Sequence, residues 1–148
     1  MNSYQLRIVT PERPFFEGPC TFLIVRTEDG EIGVLHGHTP LVSPLVPTVV
    51  DLRLENDSEG RRYLAVSGGF LEVRPDKVTL LARTAEWAGE IDQERAEAAR
   101  LRAEEHLLDT AADRERARFA KRRAEARLQA ARAEQGPAAR LAHDRSAG

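Results

Sequence analysis

The sequence predicts an α+β protein in which an antiparallel β-sandwich, or a flattened barrel, precedes two α-helices. In the first half of the 148-residue chain, short apolar runs alternate with Gly, Pro and Asp turns, a pattern typical of antiparallel all-β folds. After Ile91 most residues are Ala, Arg, Glu, Leu or Gln, and apolar residues recur every three or four positions, as they do in helices. We therefore assign residues 1–88 to the sandwich, 89–134 to a two-helix domain and 135–148 to a disordered tail.

The strands of the first half are predicted from apolar runs and period-two alternation. These segments are 4–10, 21–26, 48–54, 61–67, 70–74 and 78–82. Residues 55–60 form a hairpin loop by composition, and Pro75 occupies the second position of a turn at 74–77, where its fixed φ fits type I geometry. Gly68 and Gly69 allow either a tight turn or close backbone packing between two strands.

Two narrow apolar stripes predict the helices of the second half. The stripes are Ala96, Ala99, Ala103 and Leu107, and then Ala117, Ala120, Ala124, Leu128 and Ala131. Asp109 or Thr110 is the expected N-cap of the second helix, and Gly136-Pro137 ends it. The helices can fold back as a hairpin or straighten. Because burial contributes only about 0.8 kcal/mol per methylene, a hairpin seam built of alanine is weak and displaceable.

Bulk properties exclude several classes of protein. A net charge of −2 and a pI near 6.1 give no general attraction to nucleic acid or to an acidic membrane surface. A single cysteine, Cys20, excludes an internal disulfide and a thiolate metal cluster and fits a reducing compartment. The first residues show no leader pattern, and no apolar run approaches the roughly 20 residues of a membrane span. We expect a soluble, cytoplasmic protein that reaches a membrane only within a complex.

Two short motifs carry little functional signal. His36 and His38 flank a glycine without a third ligand at ordered spacing, so a surface turn is favoured over a metal site. Ser67-Gly68-Gly69 lacks the preceding glycine of a nucleophile elbow and the Lys-Ser/Thr of a phosphate loop. Neither motif predicts an enzyme.

The second helix carries a dense run of basic side chains. Its members are Arg114, Arg116, Arg118, Lys121, Arg122, Arg123 and Arg127. A solvated face is the interpretation that base rates favour. Nucleic acid is the least favoured partner, because Phe119 is the only aromatic residue of the helices and offers no stacking platform. An acidic protein surface and a nucleotide phosphate both stay open.

Charged residues of the two helices form one sharper constellation. Asp92 and Arg95 share a face of the first helix with Arg102 further along it, and Arg123 and Arg127 share a face of the second. If the helices fold back on each other, these arginines and the aspartate can converge. Arginine forks suit phosphates, and an aspartate suits an exocyclic amino group or a ribose hydroxyl. Ordinary intrahelical ion pairs are the alternative, and spacing alone favours them.

The sequence resembles the epsilon subunit of the bacterial F-type rotary ATP synthase over nearly the whole chain to about Glu134. Segments 30–42, 65–73 and 78–82, followed by Ala85-Glu86, carry the resemblance in the first half. In the helical half, residues 91–96 match the family's nucleotide-binding signature, Ile/Leu-Asp-x-x-Arg-Ala. Pro47-Thr48 departs from the Pro-Gly pair of many members.

The resemblance implies a sandwich of about ten strands followed by a regulatory two-helix domain. It implies a non-catalytic subunit of the central rotor stalk, which couples ion flow to ATP synthesis. The partners would be the gamma subunit, the c-subunit ring and the alpha/beta catalytic head, at the cytoplasmic face of the bacterial membrane. A turn holding Glu31 and His38 would face the c ring. The alternative is a free-standing nucleotide-binding or adaptor module with a helical arm.

The resemblance also assigns roles to the helices. Extended, they would oppose ATP hydrolysis, with an acidic segment of the beta subunit meeting Arg114, Arg116, Arg118, Lys121, Arg122 and Arg123. Folded, they would bind ATP as a regulatory ligand, and no other cofactor is required. The matching positions are Glu86, Ile91, Asp92, Arg95, Ala96, Arg102, Arg123 and Arg127.

Overall fold

The structure, a computed structural model, describes residues 2–55, 60–107 and 111–134. Its strands are β1 (Tyr4–Val9), β2 (Pro14–Thr27), β3 (Gly30–Leu35), β4 (Leu41–Leu54), β5 (Arg62–Val73), β6 (Lys77–Ala82) and β7 (Ala85–Trp87). A 3₁₀ turn (Ala88–Glu90) leads into helices α1 (Gln93–His106) and α2 (Ala111–Glu134). The predicted α+β order of a β-sandwich followed by two helices is confirmed. The predicted cap at Asp109 or Thr110 and the predicted tail lie outside the described residues.

The strands follow the order β1-β6-β5-β4-β2-β3, and β1 also pairs with β2. The sheet therefore closes on itself through β1, β6, β5, β4 and β2, which gives a flattened barrel with β3 at its edge. The short strand β7 pairs with β5. The other strand pairs are antiparallel as predicted, but β1 runs parallel to β6.

Long strands account for the number of strands. The described residues form seven strands rather than about ten, because β2 and β4 each have 14 residues and β5 has 12. The first part of β2 pairs with β1, and its last part pairs with β3 and β4. One long strand thus covers the length that two short strands would cover.

The glycine pair lies inside β5 and does not form a turn. Gly69 has a φ of +137°, and a Cβ at this position would lie 1.8 Å from the carbonyl oxygen of Leu81 on β6. Close backbone packing, the second of the two predicted roles, therefore explains the pair. The predicted break between residues 67 and 70 is wrong, since the strand continues through it.

The core of the barrel consists of fully buried aliphatic side chains. The largest are Leu6, Ile8, Leu23, Leu52, Leu64, Leu71 and Leu80. Inside it, the Tyr4 hydroxyl donates to the carbonyl of Val34 at 2.8 Å, and the Cys20 thiol donates to the carbonyl of Phe22 at 3.1 Å. Burial raises the pKa of Cys20, so its thiol is an unreactive core group.

The two helices fold back into a hairpin that rests on β4 and β5. Ala96 and Ala103 of α1 are buried, as are five of the alanines of α2 and Leu128. Ala130 of α2 packs on Ala65 of β5 and on Ala88 of the 3₁₀ turn. The seam is therefore built of small side chains, as the stripes predict. No helix within the described residues is both long and apolar enough to cross a membrane.

Candidate functional site

A cleft of about 440 Å³ lies where the helical hairpin meets the edge of the barrel. Its floor is formed by β5 and β7, including Ser67 and Glu86, with Thr84 beside them. Its roof is formed by both helices, through Ala99 of α1 and through Arg123 and Arg127 of α2. The cleft therefore lies at the composition boundary between Glu86 and Ile91.

A second cavity of about 520 Å³ continues from the cleft between the two helices. The two cavities share Ala99, Ala120 and Arg123 in their linings, so they form one continuous groove. Arg102 and Arg116 line the second cavity. The small alanine side chains leave this space open, and the arginines give its walls positive charge.

Arg127 crosses the cleft to reach the barrel. Its Nε donates to Glu86 Oε2 at 2.9 Å and its Nη2 donates to Glu86 Oε1 at 3.2 Å. Each side chain is 30% exposed. Intrahelical pairing, which spacing alone favoured, does not describe Arg127, because its partner is 41 residues away on β7. Intrahelical pairs do form at Arg100, which binds Glu97 and Glu104.

Arg123 flanks the aromatic ring of Phe119. Its guanidinium carbon lies 5.4 Å from the ring centroid, and that of Arg83 lies 5.9 Å from the same centroid. Cation–π attraction of this kind contributes about 0.5–1 kcal/mol at exposed sites. Phe119 thus connects α2 to the end of β6, a role that the sequence did not reveal.

The start of α1 is fixed by Asp92. Its Oδ1 accepts from the backbone N–H of Arg95 at 3.1 Å, which makes Asp92 the N-cap of the helix. Ala96 is fully buried, and Ile91 packs beside the cluster of Ala65, Ala88 and Ala130. An aspartate just before a helical run is a known N-cap signal, so this role was readable in the sequence.

The structure divides the predicted nucleotide-binding residues into two groups. Four of them line the continuous groove: Glu86, Arg102, Arg123 and Arg127. The other four, Ile91, Asp92, Arg95 and Ala96, lie at the start of α1 and are outside these linings. Arg95 is exposed and precedes Ala99 by four residues, so it lies on the groove-facing side one turn earlier.

The basic residues of α2 have different environments. Lys121 lies 3.4 Å from Glu104 of α1 and 3.8 Å from Glu125, so it links the helices. Five arginines of the run stay exposed: Arg114, Arg116, Arg118, Arg122 and Arg123. Arg122 also lines an open cleft against the β2–β3 turn. These exposed arginines are the part of the run that another protein can reach in the folded state.

Glu31 and His38 do not share a turn. Glu31 belongs to β3, where it pairs with Arg26, whereas His38 follows the end of that strand. Strand geometry places roughly 13 Å between Glu31 and Leu35, the last residue of β3. His36 and His38 lie in a turn as predicted, with the His38 amide donating to Leu35. The described residues contain no group of three potential metal ligands.

An apolar face on the outside of the sheet was missed by the sequence reasoning. Val42 is 69% exposed, Phe70 51% and Leu81 45%. Phe70 lies opposite Pro44 on one side and Leu81 on the other, so these side chains form a row across β4, β5 and β6. The sequence signal that could have revealed this face is an apolar residue at an outward-facing position in each of β4, β5 and β6. We call Val42, Pro44, Phe70 and Leu81 the outer apolar row.

Comparison with known proteins identifies the family. Residues 3–88 match the family described as ATP synthase, Delta/Epsilon chain, beta-sandwich domain. The chain is 49% identical over 110 residues to the ATP synthase epsilon chain of Exiguobacterium sp., covering 74% of this chain and 79% of the relative. It belongs to the ATP synthase delta/epsilon chain family. The epsilon chain of Bacillus subtilis is 47% identical over 113 residues, which cover 76% of this chain and 83% of the relative.

Solved structures of ATP synthases share the fold of this family member. A chain of the Euglena gracilis mitochondrial ATP synthase, seen in an OSCP/F1/c-ring assembly, aligns with a TM-score of 0.75 and 27% identity. The alignment covers 87% of this chain and 81% of that one. A chain from the central stalk and c ring of the Tetrahymena thermophila enzyme aligns at 0.60 with 16% identity, covering 88% and 97%, which supports the fold alone.

Family membership confirms the resemblance stated from the sequence. The epsilon chains are regulatory or structural subunits rather than catalytic ones, so the prediction of a non-catalytic subunit is confirmed. The matched family segment, residues 3–88, covers the whole β-rich part of the chain. Roles for individual residues, in contrast, depend on the geometry described above.

Proposed function

We propose that this epsilon-type chain is a subunit of the central rotor stalk of an F-type ATP synthase. It couples ion flow to ATP synthesis by joining the gamma subunit to the c ring at the cytoplasmic face of the bacterial membrane. The observation that carries this proposal is the outer apolar row. The Euglena chain supports it, because that chain belongs to an assembly of F1 and c ring.

The outer apolar row has the chemistry of a docking surface for gamma. Phe70 and Leu81 stand exposed side by side on β5 and β6, and Val42 is exposed on β4 two residues before Pro44. Contiguous apolar patches on soluble domains mark interaction sites. A flat face of this kind suits the apolar side of a long helix in a stalk subunit. The c-ring contacts of Glu31 and His38 then form separately, at the beginning and beyond the end of edge strand β3.

Co-purification tests the gamma contact. Phe70→Asp places a charge in the middle of the outer apolar row, and we expect it to reduce recovery of the gamma and c subunits at least tenfold. Leu101→Asp is the matched control, since Leu101 is 48% exposed but lies on α1. Equal recovery of gamma with both variants would show that the outer apolar row is not part of the interface with gamma.

A regulatory ATP site in the groove is the second part of the proposed function. Arg102, Arg123 and Arg127 line it, and guanidinium forks bind phosphate oxygens in pairs. Asp92 and Arg95 adjoin it at the start of α1. Bound ATP would hold the hairpin folded; at 100 times its dissociation constant, linkage contributes about 2.7 kcal/mol. The extended helices would present their basic residues to the beta subunit and oppose hydrolysis.

Isothermal titration of the isolated chain with ATP tests this site. We expect measurable heat at millimolar ATP and at least tenfold weaker binding for Arg123→Ala, because one guanidinium is removed from the groove. Arg13→Ala is the control, since Arg13 is exposed on the barrel before β2. Absence of heat, or unchanged affinity in Arg123→Ala, argues for a stalk subunit that does not sense ATP.

A further inference from the structure

The hairpin is fastened to the barrel at a point near the end of α2. Arg127 donates two hydrogen bonds to Glu86, and these connect α2 directly to β7. Both side chains are only 30% exposed, so water competes with this pair less than with an ion pair on an open surface. Glu86 itself is held in register by pairing of β7 with β5, opposite Ala65. The carboxylate is therefore presented by a short strand that is paired with the sheet.

A second point of attachment lies two turns earlier on α2. The ring of Phe119 lies 3.7 Å from the position that a Cβ on Gly68 would occupy, so the ring rests against bare backbone of β5. The guanidinium groups of Arg83 and Arg123 flank the same ring. Eight residues separate Phe119 from Arg127, which places both on one side of α2 and about 12 Å apart.

Beyond Arg127, towards the end of α2, the buried interface with the barrel centres on small side chains. Ala65, Ala88 and Ala130 form its buried cluster, with Val49, Tyr63 and Ile91 around them. Alanines bring the backbones together but remove little apolar area from water per residue. The ion pair and the aromatic contact therefore add position-specific attachment to this apolar interface.

We propose that Glu86–Arg127 and Phe119 with Gly68 and Arg83 form a two-point latch, which keeps the hairpin docked on the barrel without bound nucleotide. Opening requires both contacts to break, while the barrel stays folded. The regulatory meaning of the latch rests on the proposed function, but its existence does not. Arg127 and Arg123, which flanks the Phe119 ring, also line the groove, so a bound phosphate would compete with contacts at both points of the latch.

Hydrogen exchange measured by mass spectrometry on the whole chain, without nucleotide, tests the latch. Glu86→Gln, Arg127→Gln and Phe119→Ala should each raise exchange of α2 amides roughly fivefold, because each removes one attachment. Amides of β1 and β6 serve as the internal control for folding. In the double variant of Glu86 and Arg127, exchange should match that of either single variant, since both break the same pair.

Matched substitutions away from the latch set the baseline. Glu115→Gln removes an exposed carboxylate from α2, and Leu101→Ala truncates an exposed apolar side chain on α1. Both should leave α2 exchange at the wild-type rate. If the latch variants exchange no faster than these controls, the latch is overturned. It is equally overturned if wild-type α2 amides show no protection in the absence of nucleotide.

Salt and ATP separate the latch from the nucleotide site. Raising the ionic strength from about 0.05 M to 0.5 M should accelerate α2 exchange in the wild-type chain but much less in the Glu86→Gln/Arg127→Gln variant. An equal response in both chains counts against the ion pair. A chain that binds no ATP but shows the exchange pattern above supports the latch and rejects the nucleotide site.

Discussion

At the scale of single residues, Asp92 has one observed role and one proposed role. It caps α1 through the amide of Arg95, and it belongs to the proposed ATP site. Asp92→Ala removes the cap, which costs about 1 kcal/mol of helix stability, whereas asparagine caps nearly as well as aspartate. We expect Asp92→Ala to raise exchange of the first α1 amides about fivefold and Asp92→Asn to leave it unchanged.

Titration of the same two variants with ATP completes the test. If the carboxylate contacts the nucleotide, Asp92→Asn weakens binding although α1 keeps its cap. If Asp92 acts only through the helix, Asp92→Asn binds ATP like the wild-type chain and only Asp92→Ala binds more weakly. The asparagine variant therefore distinguishes a ligand contact from a structural role.

At the scale of elements, the sequence predicted regular patterns well and long-range contacts poorly. The alanine stripes located both helices because their spacing is local. For Gly68-Gly69 the sequence left a tight turn and close backbone packing both open, since the approach of Leu81 that decides between them comes from another strand. Strand β3 was missed although Ile32 and Val34 lie inward and alternate with glycine and charge. A tertiary contact decided the role of the glycine pair, whereas β3 carried a local signal that was not used.

The predictions for the candidate site divide in the same way, because local spacing was informative and long-range contacts were not. Spacing and the resemblance grouped Arg102, Arg123 and Arg127; Arg123 and Arg127 line the cleft, and Arg102 and Arg123 line the second cavity. The pairing of Arg127 with Glu86 could not be predicted, because no local pattern joins residues 41 positions apart. Phe119 was noticed only as a lone aromatic residue, and its contacts with Gly68 and Arg83 come from the docking of α2.

At the scale of the whole molecule, the barrel and the hairpin have separable cores. Every member of the large buried cluster, from Tyr4 to Ala82, belongs to the barrel, and the interface with α2 is a small alanine cluster. Trp87 also stays on the barrel side, stacked on Phe15 with Arg62 above its ring. The chain is therefore built so that the helices can leave the barrel without unfolding it.

Deletion of the residues after Ala88 tests this division together with the regulatory role of the helices. We expect the shortened chain to fold, because its aliphatic core is complete, and to join the assembled ATP synthase through the outer apolar row. ATP hydrolysis by the complex should then rise severalfold, since the helices that we propose to oppose hydrolysis are absent. The Phe70→Asp variant of the full chain is the comparison, because it is expected to lose assembly while keeping its helices. Unchanged hydrolysis in a complex that contains the shortened chain would contradict the inhibitory role, whereas a shortened chain that does not fold would contradict the separation of the two cores.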